Sequence, residues 1–406
     1  MIERLRPDPA NPRQIEAAEL DALTRSIRQY GFVQPIVATR DGLVVAGHQR
    51  LVAARRLGLA SVPVIYVDLP VAEARTLALA LNKISGTWDE QLLARLLAEL
   101  QDAPGLDLGL SGFNEDEVTA LLRKLDAQDK RDRPEAFDLD AALDSARSQP
   151  RAKPGDLWAF DESRLLNGDA TRSEDLARVL DGRQADESVS DVPYSVDYRG
   201  GPAPTAKRRR PIANDALEPA AFAEFVRAWA RNLLASVEGA LYLFTGSKEL
   251  PTISRILAEE GGHWSDTIIW NKGAFTLGRA DYQRSDEPIW YGWREGSTHL
   301  WCGDRDQSDV WEIPKPTASP LHPAQEPLAL LERAIVNSSR PGALILDPFA
   351  GSGSTLIACE RTGRVAALIE LDPICCEVII ARWEAFTGHT ARLVTGVDAE
   401  PAEGGR

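Results

Sequence analysis

No apolar run in this chain approaches the roughly 20 residues needed to cross a bilayer as a helix, so no membrane partner is expected. Its opening residues, from Met1 to Asp8, lack the apolar stretch of a signal peptide, and the expected location is the cytoplasm. Cysteine is scarce. Cys302, Cys359, Cys375 and Cys376 have neither metal-ligand spacing nor a disulfide pattern, so buried thiols and no metal are expected. Positive charge is also short, at 46 Lys and Arg against 61 Asp and Glu, a net charge of −15. Nonspecific coating of DNA requires many cations on phosphates, which this balance excludes, although a local basic groove is compatible with it. Lys207-Arg208-Arg209-Arg210 is the only dense basic run, either a phosphate contact or a solvated loop.

What is present suits two or three domains, since 406 residues can bury more than one core. In residues 1–85, Gln34 to Thr39 reads as a strand, Asp41-Gly42 as a hairpin turn, and Leu43 to Ala46 as the partner strand. A helix is predicted from His48 to Leu57, stopped by Gly58, and another strand from Val62 to Val67. That is a small α+β domain. Residues 86–125 read as helical, with capping boxes at Thr87–Glu90 and Asn114–Glu117. Residues 126–155 are charged, poor in bulky apolar side chains and end in prolines, the composition of a linker.

From 156 to 395, apolar runs alternate with amphipathic segments, the pattern of a mostly parallel α/β sheet. Strands are predicted at Leu241–Thr245, Thr267–Trp270, Leu344–Asp347 and Val365–Glu370, and residues 396–406 are expected to be disordered. Six of the ten tryptophans fall between Trp264 and Trp311, where core packing is the favoured role and base stacking the other.

One strand ends at Asp347, and Gly351-Ser352-Gly353 then opens a helix. Glycines admit a ligand close to the backbone, and the helix start offers unpaired N–H groups. The next strand ends about 20 residues on, at Glu370, where a carboxylate can accept bonds from ribose hydroxyls. A dinucleotide fingerprint would want glycine at Leu356, and a P-loop would want Gly-Lys-Ser/Thr. S-adenosylmethionine, which has no phosphate, suits the acidic approach at Asp347; a ligand-free turn is the plain alternative.

Asp191-Val192-Pro193-Tyr194 lies far upstream. Methyl transfer to an exocyclic amine needs both amino protons held by acceptors, so that the nitrogen lone pair leaves the ring system. Asp191 and the Val192 carbonyl can accept them, Pro193 can stiffen the turn, and Tyr194 can stack on an extruded base.

The two motifs, in this order, resemble those of the permuted, β-class DNA amino-methyltransferases, which act on adenine N6 or cytosine N4. The resemblance implies a Rossmann-like, S-adenosylmethionine-dependent methyltransferase domain acting on double-stranded DNA. Asp191, Pro193 and Tyr194 would hold the base, and Asp169, Asp347, Phe349, Gly351, Gly353 and Glu370 the cofactor. Residues like Phe349 pack on adenine in that family, and residues from about 272 to 318 are where it places target recognition. Asp at the first catalytic position leans toward adenine. The sequence departs from the family at Val192, where Pro is usual, and at Glu326, where Lys is usual. These departures point to loosened catalysis, or to a DNA-binding homologue that has lost turnover.

Asn11-Pro12-Arg13, Gly31 to Ile36 and Gly47 to Ala54 resemble the N-terminal domain of ParB-type proteins and sulfiredoxins. That implies a nucleotide or phosphate site at Gly47, His48 and Arg50. ParB proteins prefer Glu where His48 stands, and sulfiredoxins need a cysteine in the stretch held by Ala46. The expected assembly is therefore a ParB/sulfiredoxin-like α+β domain tethered to the methyltransferase, with a homodimer as a candidate state.

Overall fold

A computed structural model describes residues 1–14, 17–82, 87–101, 103, 107, 111, 113–131, 133–135, 137–148, 150–193, 217–276, 281–314 and 327–395. The chain divides into two compact units, Met1–Asp126 and Ala127–Arg406. Tyr194, Lys207 to Arg210, Glu326 and the tail 396–406 lie outside the described residues.

The first unit runs β1 (Arg13–Gln14), α1 (Ala17–Tyr30), β2 (Ile36–Thr39), β3 (Val44–Ala46), α2 (His48–Arg56), β4 (Val64–Val67), α3 (Val71–Asn82), β5 (Thr87–Trp88), α4 (Glu90–Gln101) and α5 (Glu115–Arg131), whose last turns pass into the second unit. β2 pairs antiparallel with β3 across the turn at Asp41-Gly42 and parallel with β4. Ile36, Ala38, Val44, Leu51 and Ala54 close a core over this sheet. Leu93, Leu96, Leu97 and Leu100 of α4 meet Leu79, Phe113 and Val118 in a second one. The capping box at Asn114 forms as expected: its Oδ1 accepts from Glu117 N (2.8 Å), and Glu117 Oε2 accepts from Asn114 N (2.9 Å). The one expected at Thr87 does not, because Thr87–Trp88 pair with β1. Asp89 caps α4 instead, accepting from the N–H groups of Gln91 and Leu92.

The stretch 126–155 is not a linker along its length. It contains the end of α5 and a helix, α6 (Leu139–Ser148). A few apolar side chains at helical spacing explain the difference: Leu139 and Ala146 are buried against Val378, with Phe137, Leu143 and Ile374 packed beside them.

The second unit continues with β6 (Leu157–Phe160), β7 (Ser163–Asn167), α7 (Ser173–Leu180), β8 (Ala185–Asp191), α8 (Pro219–Ser236), β9 (Val237–Phe244), α9 (Leu250–Glu259), β10 (Gly262–Thr276), β11 (Arg284–Arg294) and β12 (Val310–Glu312). It ends with α10 (Leu328–Ser338), β13 (Leu344–Asp347), α11 (Ser354–Thr362), β14 (Val365–Glu370), α12 (Pro373–Thr387) and β15 (Arg392–Thr395). Among the described residues, one sheet runs in the order β12-β10-β11-β9-β8-β13-β14-β7-β6-β15. Its centre, β9-β8-β13-β14-β7, is parallel throughout. Side chains from α7, α8 and α9 cover one face and those from α10, α11 and α12 the other. The result is a doubly wound α/β layer structure.

Trp270, Trp290 and Trp311 are buried in this core, as expected for most of the cluster, whereas Trp264 and Trp301 are exposed. The thiols split: Cys359 and Cys376 are buried, but Cys375 in α12 is partly exposed and Cys302, outside the regular elements, is exposed.

Candidate active site

In the parallel centre, β8 leads through α8 to β9 on one side, while β13 leads through α11 to β14 on the other. The strand order therefore reverses between β8 and β13. Connections leaving in opposite directions open a crevice at the carboxyl ends of those two strands. Both predicted motifs sit there, Asp191 ending β8 and Asp347 ending β13.

The Asp347 carboxylate is buried and committed to its neighbours. One oxygen accepts from Ser190 Oγ (2.6 Å) and Phe349 N (3.1 Å), the other from Thr355 Oγ1 (2.6 Å). Burial raises its pKa, and the three donors oppose that rise. It shapes the turn from within instead of facing a ligand, a different part from the direct cofactor contact expected of it. Gly353 starts α11 in the left-handed region at φ +81°, and a Cβ there would lie 3.0 Å from Ile379. Both the turn and the packing of α12 thus require glycine. Phe349 packs edge-on against Trp229 at 5.9 Å and beside Phe225 at 6.3 Å, which holds its ring at the rim of the crevice.

Glu370 closes the other side. Its carboxylate accepts from Gly351 N and Asp372 N, each at 2.8 Å, while burial drives its pKa up to about 7. Gly168 N donates to the Glu370 carbonyl, which sets Asp169 beside this end of β14. Asp169 itself accepts from Thr171 N and Oγ1, so it caps a tight turn.

Val192 is anchored in the sheet and in the core. Its N–H donates to the Phe244 carbonyl at 3.1 Å, and its side chain is fully buried among the residues under α8. A proline could not make that hydrogen bond. The strand ladder and the packing hold this residue where the family usually has a proline ring. Pro193 follows, partly exposed, and Asp191 stands at the exposed end of its strand.

In the first unit, Gly47 caps α2 at φ +95°, with the Arg50 guanidinium within 3.1 Å of where a Cβ would lie. Asp8 N donates to His48 Nε2 at 3.3 Å, and burial lowers the His48 pKa to about 4, so the ring is neutral. Arg50 donates to Gln34 Oε1. Arg50 thus lies against Gly47, whereas His48 lines a small pocket together with Asp8, Asn11, Arg75 and Trp88.

Residues 186–381 match the family model for DNA methylases, residues 1–83 that for the ParB N-terminal domain, and residues 91–154 that for the ParB-methyltransferase HTH domain. The chain joins a ParB-type domain to a DNA methylase domain. It is 28% identical to the type II methyltransferase M.ScaI of Streptomyces caespitosus, over 29% of this chain and 49% of that protein. Against the type II methyltransferase M2.MboI of Moraxella bovis the identity is 31%, over 32% of this chain and 53% of that protein. The chain spans about half the length of the curated relatives it matches. The solved M1.HpyAVI–SAM complex is 21% identical, covering 53% of this chain and 96% of that one with a TM-score of 0.39.

The HTH match runs through both the helical stretch and the segment read as a linker. Within the methylase domain, sequence reading overlooked Ser190 and Thr355, which hold Asp347. A polar residue directly before Asp191 on a strand end was the signal available. It also overlooked Arg382, whose Nη1 donates to the Ser352 carbonyl at 2.9 Å inside the glycine turn. Nothing in its local sequence marks it, because its partners are distant in the chain.

Proposed function

We propose that this protein is a site-specific DNA methyltransferase that transfers a methyl group from S-adenosylmethionine to the N6 amine of adenine in double-stranded DNA. The observation that carries this reading is the meeting of the glycine turn and Asp191 on adjacent strands at the switch point, joined by the Ser190–Asp347 bond. The residues fit that cofactor. Glu370 offers its remaining lone pairs to ribose hydroxyls, Phe349 an aromatic edge to adenine, and Gly351 an approach to the backbone. An acidic rim of Asp169, Glu370 and Asp372 suits a cationic ligand and repels a pyrophosphate.

S-adenosylmethionine brings a methyl group on a sulfonium, an electrophile that needs no metal. Asp191 and the Val192 carbonyl accept the two amino protons of the extruded base and direct the nitrogen lone pair at that methyl. With that cofactor bound, nitrogen would take the methyl while sulfur leaves as a neutral thioether, and positive charge would pass to nitrogen. Acceptors already in place stabilise it, and one amino proton then leaves through Asp191 or to water. Tyr194 would stack on the base. Aspartate at position 191 favours adenine over cytosine, and the anchored Val192 favours turnover over an inactive homologue.

The test is to incubate the protein with DNA and labelled cofactor and to identify the product nucleoside by mass spectrometry. N6-methyldeoxyadenosine that disappears with Asp191→Ala is expected. N4-methyldeoxycytidine would reassign the base, and cofactor binding without any transfer would refute catalysis. We further propose that the first unit holds a nucleotide at Gly47 and Arg50; loss of nucleotide binding in Arg50→Ala checks it.

A further inference from the structure

The guanidinium of Arg382 is 1% exposed and joins two parts of the chain that are far apart in sequence. Its Nε and Nη2 engage both oxygens of Glu135, the second at 3.1 Å, in a side-on pair. Its Nη1 reaches the Ser352 carbonyl at 2.9 Å, Ser352 Oγ at 3.3 Å and Ser354 Oγ at 3.1 Å. Glu135 is itself only 8% exposed, and it lies in the stretch matched by the HTH model, outside the methylase match.

An uncompensated cation beside the start of α11 would oppose the helix dipole and leave a buried charge without a counter-ion. Glu135 cancels that charge and fixes the fork, so that one N–H face of Arg382 is left for the turn. Neighbouring bonds hold the same segment in place. Lys130 pairs with Glu360 at 2.6 Å, and Arg133 donates to the Phe386 carbonyl at 2.8 Å.

We propose that Glu135 and Arg382 are positioning residues for the cofactor turn, and that the methylase domain is completed by this segment from outside it. The proposal rests on the cofactor reading above. In the full chain, Glu135→Gln leaves the guanidinium free to swing. Amide exchange across residues 349–356 of the ligand-free protein is then expected to quicken about tenfold or more, with exchange in β8 and β9 unchanged. The KM for S-adenosylmethionine should rise about tenfold while kcat and the KM for DNA stay within about twofold.

Should Glu135→Gln not fold, the double variant Glu135→Leu/Arg382→Leu removes both charges together, a change that buried pairs tolerate. It should show the same loosened turn. Unchanged exchange across 349–356 in the folded variant overturns the proposal. That readout needs no cofactor, so a wild-type protein that fails to bind S-adenosylmethionine counts against the proposed function alone.

Discussion

The hydroxyl of Ser190 donates to Asp347 Oδ1 at 2.6 Å, tying the residue before Asp191 to the first residue of the glycine turn. Both groups are buried, so neither can exchange its partner for water. The bond therefore fixes the end of β8 relative to the end of β13 across a boundary where the strands share only a short register, Ile345 with Glu187 and Leu346 with Ser188.

Removing that hydroxyl strands one lone pair of a buried carboxylate. Ser190→Ala should cost about 1–3 kcal/mol in urea unfolding. It should also lower kcat for methyl transfer about tenfold or more, because a small displacement of Asp191 spoils the attack geometry. Wild-type kcat in a folded Ser190→Ala protein would show that the two motifs are set independently.

Val192→Pro would bring the tetrapeptide to the family pattern, and it is expected to damage the protein. The variant loses the N–H bond to Phe244 and a buried side chain at once. About 2–4 kcal/mol of stability should go, and activity should fall with it. A gain in turnover would mean that the proline ring matters more than the ladder.

The legibility of this protein followed the range of its interactions. The strands ending at Asp347 and Glu370, the glycine turn and the hairpin at Gly42 were all visible, since each depends on local pattern and turn chemistry. The helix α6 was missed because its two leucines stand among small and charged residues in a stretch whose composition resembles a spacer. Thr87 was misread because a capping signature competes with pairing to a strand far upstream. Ser190, Thr355 and Arg382 make their defining bonds to residues that only the sheet order brings near, and no spacing along the chain encodes that order.

Burial holds the His48 pKa near 4, against 6.5 for a free imidazole. A histidine depressed on folding stays neutral while its unfolded counterpart takes up a proton. The stability it contributes is therefore complete above about pH 6.5 and is lost as pH falls toward 4. Hydrogen exchange of residues 1–126 within the full chain should show weakening across this window, and His48→Gln should flatten it. A His48→Gln protein with the same pH dependence would place the sensitivity elsewhere.

Glu370 works in the opposite direction for ligand and for fold. Its carboxyl, raised by burial to about 7 from an ordinary 4.5, favours the protonated form in the free protein. Ionisation thus costs folding stability, a cost absent below about pH 4.5 and complete above about pH 7. Ribose hydroxyls, by contrast, donate best to the ionised carboxylate. Affinity for S-adenosylmethionine is therefore expected to rise between pH 6 and 8, about tenfold per unit at the acid end and levelling above the pKa. Glu370→Gln should bind more weakly at pH 8, lose the pH dependence, and melt at a higher temperature than wild type at that pH. Calorimetric titration of both proteins across the range checks all three. Equal pH slopes for wild type and Glu370→Gln would remove Glu370 from the ribose site.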